Sequence, residues 1–325
     1  MDYTRLGTTG LEVSRICLGM MSFGDKTKGR PWTLELDDAR PVIRAAWDAG
    51  INFFDTANVY GAGSSEEITG TVLWELAPRD EIVLATKVYN EMRKGPNGHG
   101  LSRKAILSEI DNSLRRLKTD YVDLYQIHRF DRNTPIEETL EALHDVVKAG
   151  KARYIGASSM WAWQFMKMLA AQEANGWARF VSMQNQLNLI YREEEREMLP
   201  LCLDQGIGVI PWSPMARGRL ARPWGEETLR YKNDPFQSQM YDMNAAVDEK
   251  IIRAVEGVAA KQGKSMAQVS LAWVLQKQSV TAPIVGVSKL EQLHDALGAL
   301  QVELDAEDIA AIEGPYRPRA TAGFN

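Results

Sequence analysis

The feature that most constrains this chain is a rhythm. Eight short apolar runs, Arg15–Leu18, Ile51–Phe54, Ile82–Thr86, Val122–Ile127, Ala152–Gly156, Phe180–Gln184, Gly208–Pro211 and Pro283–Val285, alternate with longer stretches of helical period. Short runs that are apolar throughout read as strands covered on both faces. The stretches between them read as amphipathic helices. In one of these, Thr134–Ala149, the residues Ile136, Leu140, Leu143, Val146 and Val147 fall on one stripe. Thr134 is its expected N-cap, Pro135 opens the first turn, Glu137 and Glu138 sit near the positive end, and Gly150 stops it. Alternation of this kind implies parallel strands joined by crossover helices. A doubly wound open sheet would place a GxGxxG phosphate loop after its first strand. Here the first strand runs into Gly19-Met-Met-Ser-Phe-Gly24, which does not fit that pattern. The expected fold class is therefore α/β: a (β/α)8 TIM barrel with an N-terminal β-hairpin and additional C-terminal helices. A length of 325 residues suits a single domain over residues 1–325.

Three segments fall outside the rhythm. Residues 3–13 read as a hairpin turning at Thr8–Gly10, placed to plug the barrel floor. Residues 214–244 form a long rim loop after the seventh strand, and loops of that length are usually functional. Beyond the last helix, Ala306–Gly314, residues 315–325 read as an extended strap over the mouth. The formal net charge of −5 argues against a nucleic-acid surface. No apolar run is long enough to span a membrane, and the start carries no signal-peptide core, so a cytoplasmic protein is expected. Cys17 and Cys202, the 2 cysteines, sit in apolar stretches and read as buried thiols.

Active sites of barrels lie at the C-terminal ends of the strands. The second strand ends at Asp55, with Tyr60 five residues on; the third ends at Lys87; the fourth ends at His128. Singly, these are a turn cap, a loop tyrosine, a solvated lysine and a rim histidine. Together, three consecutive strands deliver them to one mouth, and they form a working set. Carbonyl reduction needs hydride at carbon and a proton at the developing alkoxide. A free phenol, with a pKa near ~10, holds its proton tightly. An ammonium roughly 4 Å away stabilises the phenolate by up to about 4 kcal/mol at an effective dielectric of about 20. An aspartate keeps that ammonium charged and fixed, and a neutral histidine donates to the carbonyl oxygen.

These four residues resemble the Asp–Tyr–Lys–His tetrad of the aldo-keto reductases. The strings FFDTANVYG, LATK, DLYQIHR, YIGASS, SMQNQLN, PWSPMARGRL and PIVGVSKLEQL are similar to that family's motifs too, over about residues 3–315. Within it the chain looks most like bacterial NADPH-dependent members related to the potassium-channel β-subunits. The resemblance implies the same barrel, NADP(H) as cofactor, and Tyr60 as proton donor in the reduction of aldehydes or ketones. By position, Ser158 and Gln184 would hold the nicotinamide carboxamide, Gly19 and Met21 would lie against its ribose, and Trp212 would stack on the ring. Asp55 belongs to this cofactor-contacting set as well. The pyrophosphate would meet Ser213, Met215, Arg217, Gly218 and Arg222. Pro223 stands where relatives often carry a lysine. Gly286, Ser288, Lys289 and Gln292 would take the adenosine 2′-phosphate, and no acidic residue at 287–289 opposes it. Asp295 would face the adenine, with Ala296 in place of an asparagine.

The substrate pocket is expected among Phe23, Met92, Arg129 and Trp161, with Trp163 either in the wall or packed into the following helix. The expected partner is a small carbonyl compound. Two other readings exist. A cofactor-holding regulatory or redox-sensor subunit would retain the same tetrad and turn over little. A metal-dependent barrel hydrolase needs clustered ligands at strand ends, and of the 4 histidines, His99, His128, His144 and His294, just His128 ends a strand.

Overall fold

The computed structural model describes residues 1–28, 31–226, 240–241 and 244–321. Two short strands, β1 (Tyr3–Arg5) and β2 (Glu12–Ser14), pair antiparallel as a hairpin. Eight parallel strands follow: β3 (Cys17–Gly19), β4 (Phe53–Asp55), β5 (Val83–Val88), β6 (Val122–Ile127), β7 (Ala152–Ser158), β8 (Phe180–Gln184), β9 (Gly208–Val209) and β10 (Ile284–Val285). Their order is β10-β3-β4-β5-β6-β7-β8-β9. The last seam closes through Thr281 N–H to Val209 O (2.8 Å) and Ile284 N–H to Pro211 O (2.9 Å). The expected barrel is thus the observed one.

The helices α1 (Leu36–Asp48), α2 (Ser64–Leu76), α3 (Arg103–Leu117), α4 (Ile136–Lys148), α5 (Ala162–Asn175) and α6 (Met198–Asp204) each follow a strand. After β9 come α7 (Ala245–Gln262) and α8 (Met266–Leu275), and after β10 come α9 (Leu290–Gly298) and α10 (Ala306–Glu313). Consecutive helices pack side by side from α1 to α6 and from α7 to α9, and α9 returns to α1. The helix expected at Thr134–Ala149 begins later. Pro135 holds its N-cap position without a side-chain bond, and the Thr134 hydroxyl donates instead to Asp131 Oδ2 at 2.8 Å.

Period two along the strands sorts side chains into two cores. One parity points to the helices, where Phe54, Leu84, Tyr125, Ile127, Ile155 and Met183 are buried. The other points to the barrel axis. Low in the barrel, Cys17, Phe53, Val83, Ala85, Leu124, Ile210, Ala282 and Ile284 pack with Leu6 and Val13 of the hairpin. The hairpin therefore seals the floor, as its position in the sequence implies. Gly7 has to be glycine: its φ is +58°, and a Cβ there would sit 2.7 Å from the backbone nitrogen of Gly208. Of the rim loop, residues 214–226, 240, 241 and 244 are described, and of the tail, residues 315–321; the remainder of both lies outside the described residues. The Tyr316 hydroxyl donates to Glu193 Oε1 (2.6 Å), and Arg319 Nη2 donates to Asp248 Oδ1 (2.7 Å). Both cysteines are buried and free.

Candidate active site

Two residues above the apolar layer, the same inward parity delivers polar groups. Phe53 gives way to Asp55, Ala85 to Lys87 and Leu124 to Gln126; Ser182 is followed by Gln184. Lys87 is fully buried, and its ammonium donates to Asp55 Oδ1, to Thr56 O (2.8 Å) and to the Tyr60 oxygen (3.3 Å). Burial works against that charge. The Asp55 carboxylate and the Tyr60 oxygen more than offset it, so the amine is held above its usual range and stays protonated. Asp55 Oδ2 accepts from Gln126 Nε2 and Gln184 Nε2, both at 2.9 Å. Both glutamines that hold the second oxygen of this buried ion pair stand on strands, β6 and β8.

Tyr60 does not stand on a strand. It opens a tight turn, Tyr60–Gly63, in which Gly61 (φ 56°), Ala62 (φ 50°) and Gly63 (φ 97°) are all left-handed. The turn is tied by the Ser64 hydroxyl, which donates to Gly61 O (2.7 Å) and accepts from Asp25 N–H (3.0 Å). The His128 ring meets the Tyr60 ring edge-on, with centroids 5.7 Å apart at 81°. Asn90 Nδ2 lies 3.1 Å from His128 Nδ1. An amide nitrogen only donates, so Nδ1 is the acceptor, and the proton of the neutral ring belongs on Nε2. The four expected residues thus converge. Gln126 and Asn90 complete them and were not foreseen. Gln126 had a signal: a polar residue inside an apolar strand, two positions before His128. Asn90 had none, because its contact is made across a loop.

The expected cofactor residues gather above this centre in part. Gly19 is aligned with Asp55 across β3 and β4, and a Cβ on it would lie 3.6 Å from Gly286 N, so these two glycines are neighbours. Met21 is partly buried in the turn Met20–Ser22. Ser158 Oγ donates to Gln184 O (2.7 Å), and the Trp212 indole N–H donates to Ser159 Oγ (3.0 Å), which fixes the plane of that indole. Ser159 is a further residue the sequence did not single out. Beyond Trp212, Ser213 (φ 52°), Ala216 (φ 48°), Arg217 (φ 55°) and Gly218 (φ 94°) take left-handed backbone. Within this run the Ala216 N–H donates to Ser213 O and the Gly218 N–H to Met215 O, both at 2.9 Å, which holds the turn closed. The Arg222 guanidinium lies against this turn, 3.3 Å from where a Cβ on Gly218 would stand. Met215 packs, partly buried, against the core. Ser288 N–H donates to Gln292 Oε1 (2.9 Å), and the exposed Lys289 occupies the N-cap of α9. Asp295 is turned inward, accepting from Ser265 Oγ at 2.7 Å, and so links α9 to the start of α8.

Of the expected pocket residues, Arg129 follows His128 directly and Trp161 sits at the N-cap of α5, both partly buried. Met92 lies in the loop after β5, its N–H on Gly98 O (2.9 Å). Phe23 is 1% exposed and belongs to the core between barrel and helices rather than to an open rim. Trp163 does not pack into the helix layer; it is 63% exposed on α5. Among the described residues no group of three or more His, Cys, Asp or Glu side chains is arranged to hold a metal ion. None of the described helices is long and apolar enough to cross a membrane.

Comparison with known proteins agrees with this geometry. The profile of the aldo/keto reductase family matches residues 15–317. The chain is 45% identical to a versiconal hemiacetal acetate reductase of Aspergillus parasiticus, over 98% of both chains. It is 44% identical to a putative aryl-alcohol dehydrogenase of Schizosaccharomyces pombe, over 97% of this chain and 96% of that one. It is 41% identical to a putative aryl-alcohol dehydrogenase of Saccharomyces cerevisiae, over 97% of each. These three relatives are fungal and none is named as a channel subunit, so they support the family and not the bacterial branch read from the motifs. A barrel with an aspartate, lysine, tyrosine and histidine at its mouth, matched by the family profile over residues 15–317 and by relatives along its length, belongs to the aldo/keto reductase family.

Proposed function

We propose that this protein is an NADP(H)-dependent carbonyl reductase with Tyr60 as its proton donor. The observation that carries the reading is the buried relay in which Asp55 fixes Lys87 and Lys87 donates to the Tyr60 oxygen. NADPH, when bound, supplies the hydride that goes to the carbonyl carbon. The chain's own residues do the rest. The Tyr60 hydroxyl gives its proton to the carbonyl oxygen as negative charge grows there. The Lys87 ammonium stabilises the phenolate left behind, and Asp55 keeps that ammonium in place. His128, with its proton on Nε2, donates to the same carbonyl oxygen and orients it.

The pyrophosphate would meet the segment after Trp212, where the guanidinium groups of Arg217 and Arg222 suit phosphate oxygens. Trp212, Ser158 and Gln184 would take the nicotinamide, with Gly19 and Met21 beside its ribose. Gln184 has its amide nitrogen committed to Asp55 and Gln126, which leaves its carbonyl oxygen to accept from a carboxamide. Ser288, Lys289 and Gln292 would receive a 2′-phosphate, and the preference for NADPH over NADH rests on them. The two buried free thiols fit a reducing compartment such as the cytoplasm.

The test is consumption of NADPH by the purified protein with a panel of aromatic and aliphatic aldehydes, followed by nicotinamide absorbance. Turnover with several of them is expected, faster with NADPH than with NADH. A regulatory sensor subunit predicts the opposite pattern: tight retention of NADP⁺ and no turnover with any aldehyde.

A further inference from the structure

The partly buried arginines of this molecule are generally matched by an acid. Arg79 meets Asp123 (2.7 Å), Arg116 meets Glu66 (2.6 Å), and Arg192 meets Glu195 (2.7 Å) and Glu313 (2.9 Å). Arg15, which makes no ion pair among the described residues, lays its guanidinium on the carbonyls of Leu275, Val280 and Thr281. Arg129 has neither arrangement. Among the described residues its guanidinium makes one hydrogen bond, from Nη1 to His128 O at 2.6 Å, and no ion pair. The nearest carboxylate in sequence, Asp131, is already occupied: Oδ2 accepts from Leu101 N–H and the Thr134 hydroxyl, both at 2.8 Å, and Oδ1 accepts from Asn133 N–H at 2.9 Å. Burial pushes the Arg129 guanidinium below its usual range, with the Tyr60 and Tyr89 hydroxyls as the groups that pull it back up. It remains a cation at neutral pH. A desolvated cation without an anion is costly, and this one stands one residue from His128 and within electrostatic reach of the proton donor.

We propose that Arg129 receives a carboxylate carried by the substrate, so that the preferred substrates are aldehydes or ketones bearing an acidic group beyond the carbonyl. This rests on the reductase reading and narrows it. The planar fork of a guanidinium matches a carboxylate in two parallel bonds. Its place beside His128 holds the carboxylate at one end of the substrate while the carbonyl lies between Tyr60 and His128. Such binding fixes orientation, and orientation raises kcat/KM.

A matched pair tests it: 4-carboxybenzaldehyde against methyl 4-formylbenzoate, which has nearly the same shape and no charge. The native protein with NADPH should favour the acid at least tenfold in kcat/KM. In Arg129→Met that ratio should fall to about one or below, with Arg129→Lys between. A native protein that does not favour the acid overturns the proposal. So does a ratio that survives Arg129→Met. An equal loss on acid and ester with a displaced pH profile would assign Arg129 to the Tyr60 proton instead, and also overturns it. Failure of the reductase reading looks different, because then no aldehyde is turned over. In that case benzoate binding to the NADP⁺-saturated protein, read by calorimetry, decides. Binding lost in Arg129→Met keeps the anion site, and equal binding in both proteins removes it. Should Arg129→Met fail to fold, the native ratio and Arg129→Lys still decide.

Discussion

Lys87 is a cation with no access to bulk water, and its position at the end of β5 is what makes it useful. Its worth to Tyr60 depends on Asp55, and Asp55 depends on the two glutamine amides that fix its second oxygen. Asp55, Lys87 and His128 could be read from the sequence because each ends an apolar strand, where a polar residue is conspicuous. Asn90 could not, since only folding brings it to the His128 ring. Its contact carries a prediction. Asn90→Leu removes the donor that selects the Nε2–H tautomer, so kcat should fall about 10–100-fold, less than the 10²–10³ that loss of an oxyanion donor itself costs. Asn90→Asp puts an acceptor against Nδ1 and favours the imidazolium, so the histidine limb of the pH–rate profile should move to higher pH. Steady-state kinetics across pH reads both, and an unchanged profile in both variants would remove Asn90 from the site.

At the scale of elements, β6 and β8 have the bounds their apolar runs imply, Val122–Ile127 and Phe180–Gln184. The two strands at the seam are shorter than expected, Gly208–Val209 and Ile284–Val285. The reason lies in Pro211 and Pro283, which lack an N–H and interrupt the ladder there. The turn that carries Tyr60 was not legible as a turn of three left-handed residues, because a sequence does not show φ. Ala62 tolerates that backbone with a φ of 50°, so backbone cost alone does not demand glycine at 61. A side chain at Gly61 would instead run into the Ser64 hydroxyl, which ties the turn to Asp25. Gly61→Ala should cost about 1–3 kcal/mol in denaturant unfolding and lower kcat about tenfold, as Tyr60 loses its aim. Normal kinetics in that variant would show that the turn does not position the phenol.

The molecule as a whole is a barrel stoppered at one end by Leu6 and Val13 and carrying its polar layer at the other. The hairpin was legible because it precedes the first barrel strand. The docking of the tail was not, since Glu193 and Asp248 reach it from distant parts of the chain. Next to that dock, burial pushes Glu194 up to about 7, with the neighbouring Glu193 charge adding to the effect and the polar side chains of Asn185 and Tyr191 opposing it. The fold therefore binds this proton more tightly than the unfolded chain does. Its contribution to stability is fully present below about pH 4.5 and is lost as pH rises towards about 7. Glu194→Gln should consequently unfold less readily than the native protein at pH 8, by up to about 3 kcal/mol, with the difference shrinking to little at pH 5. Denaturant melts at the two values check it; a native protein that gains stability over the native-minus-variant comparison as pH rises would reverse the sign.

The central claim is a proton held by a phenol beside a buried ammonium. Tyr60→Phe tests it most directly, with single-turnover reduction of an aldehyde and NADPH binding measured on the same sample. The account predicts a loss in rate of about 10²–10⁴-fold with NADPH affinity within a few-fold of native, because the ring remains and only its hydroxyl is gone. Equal rates in the two proteins would contradict it.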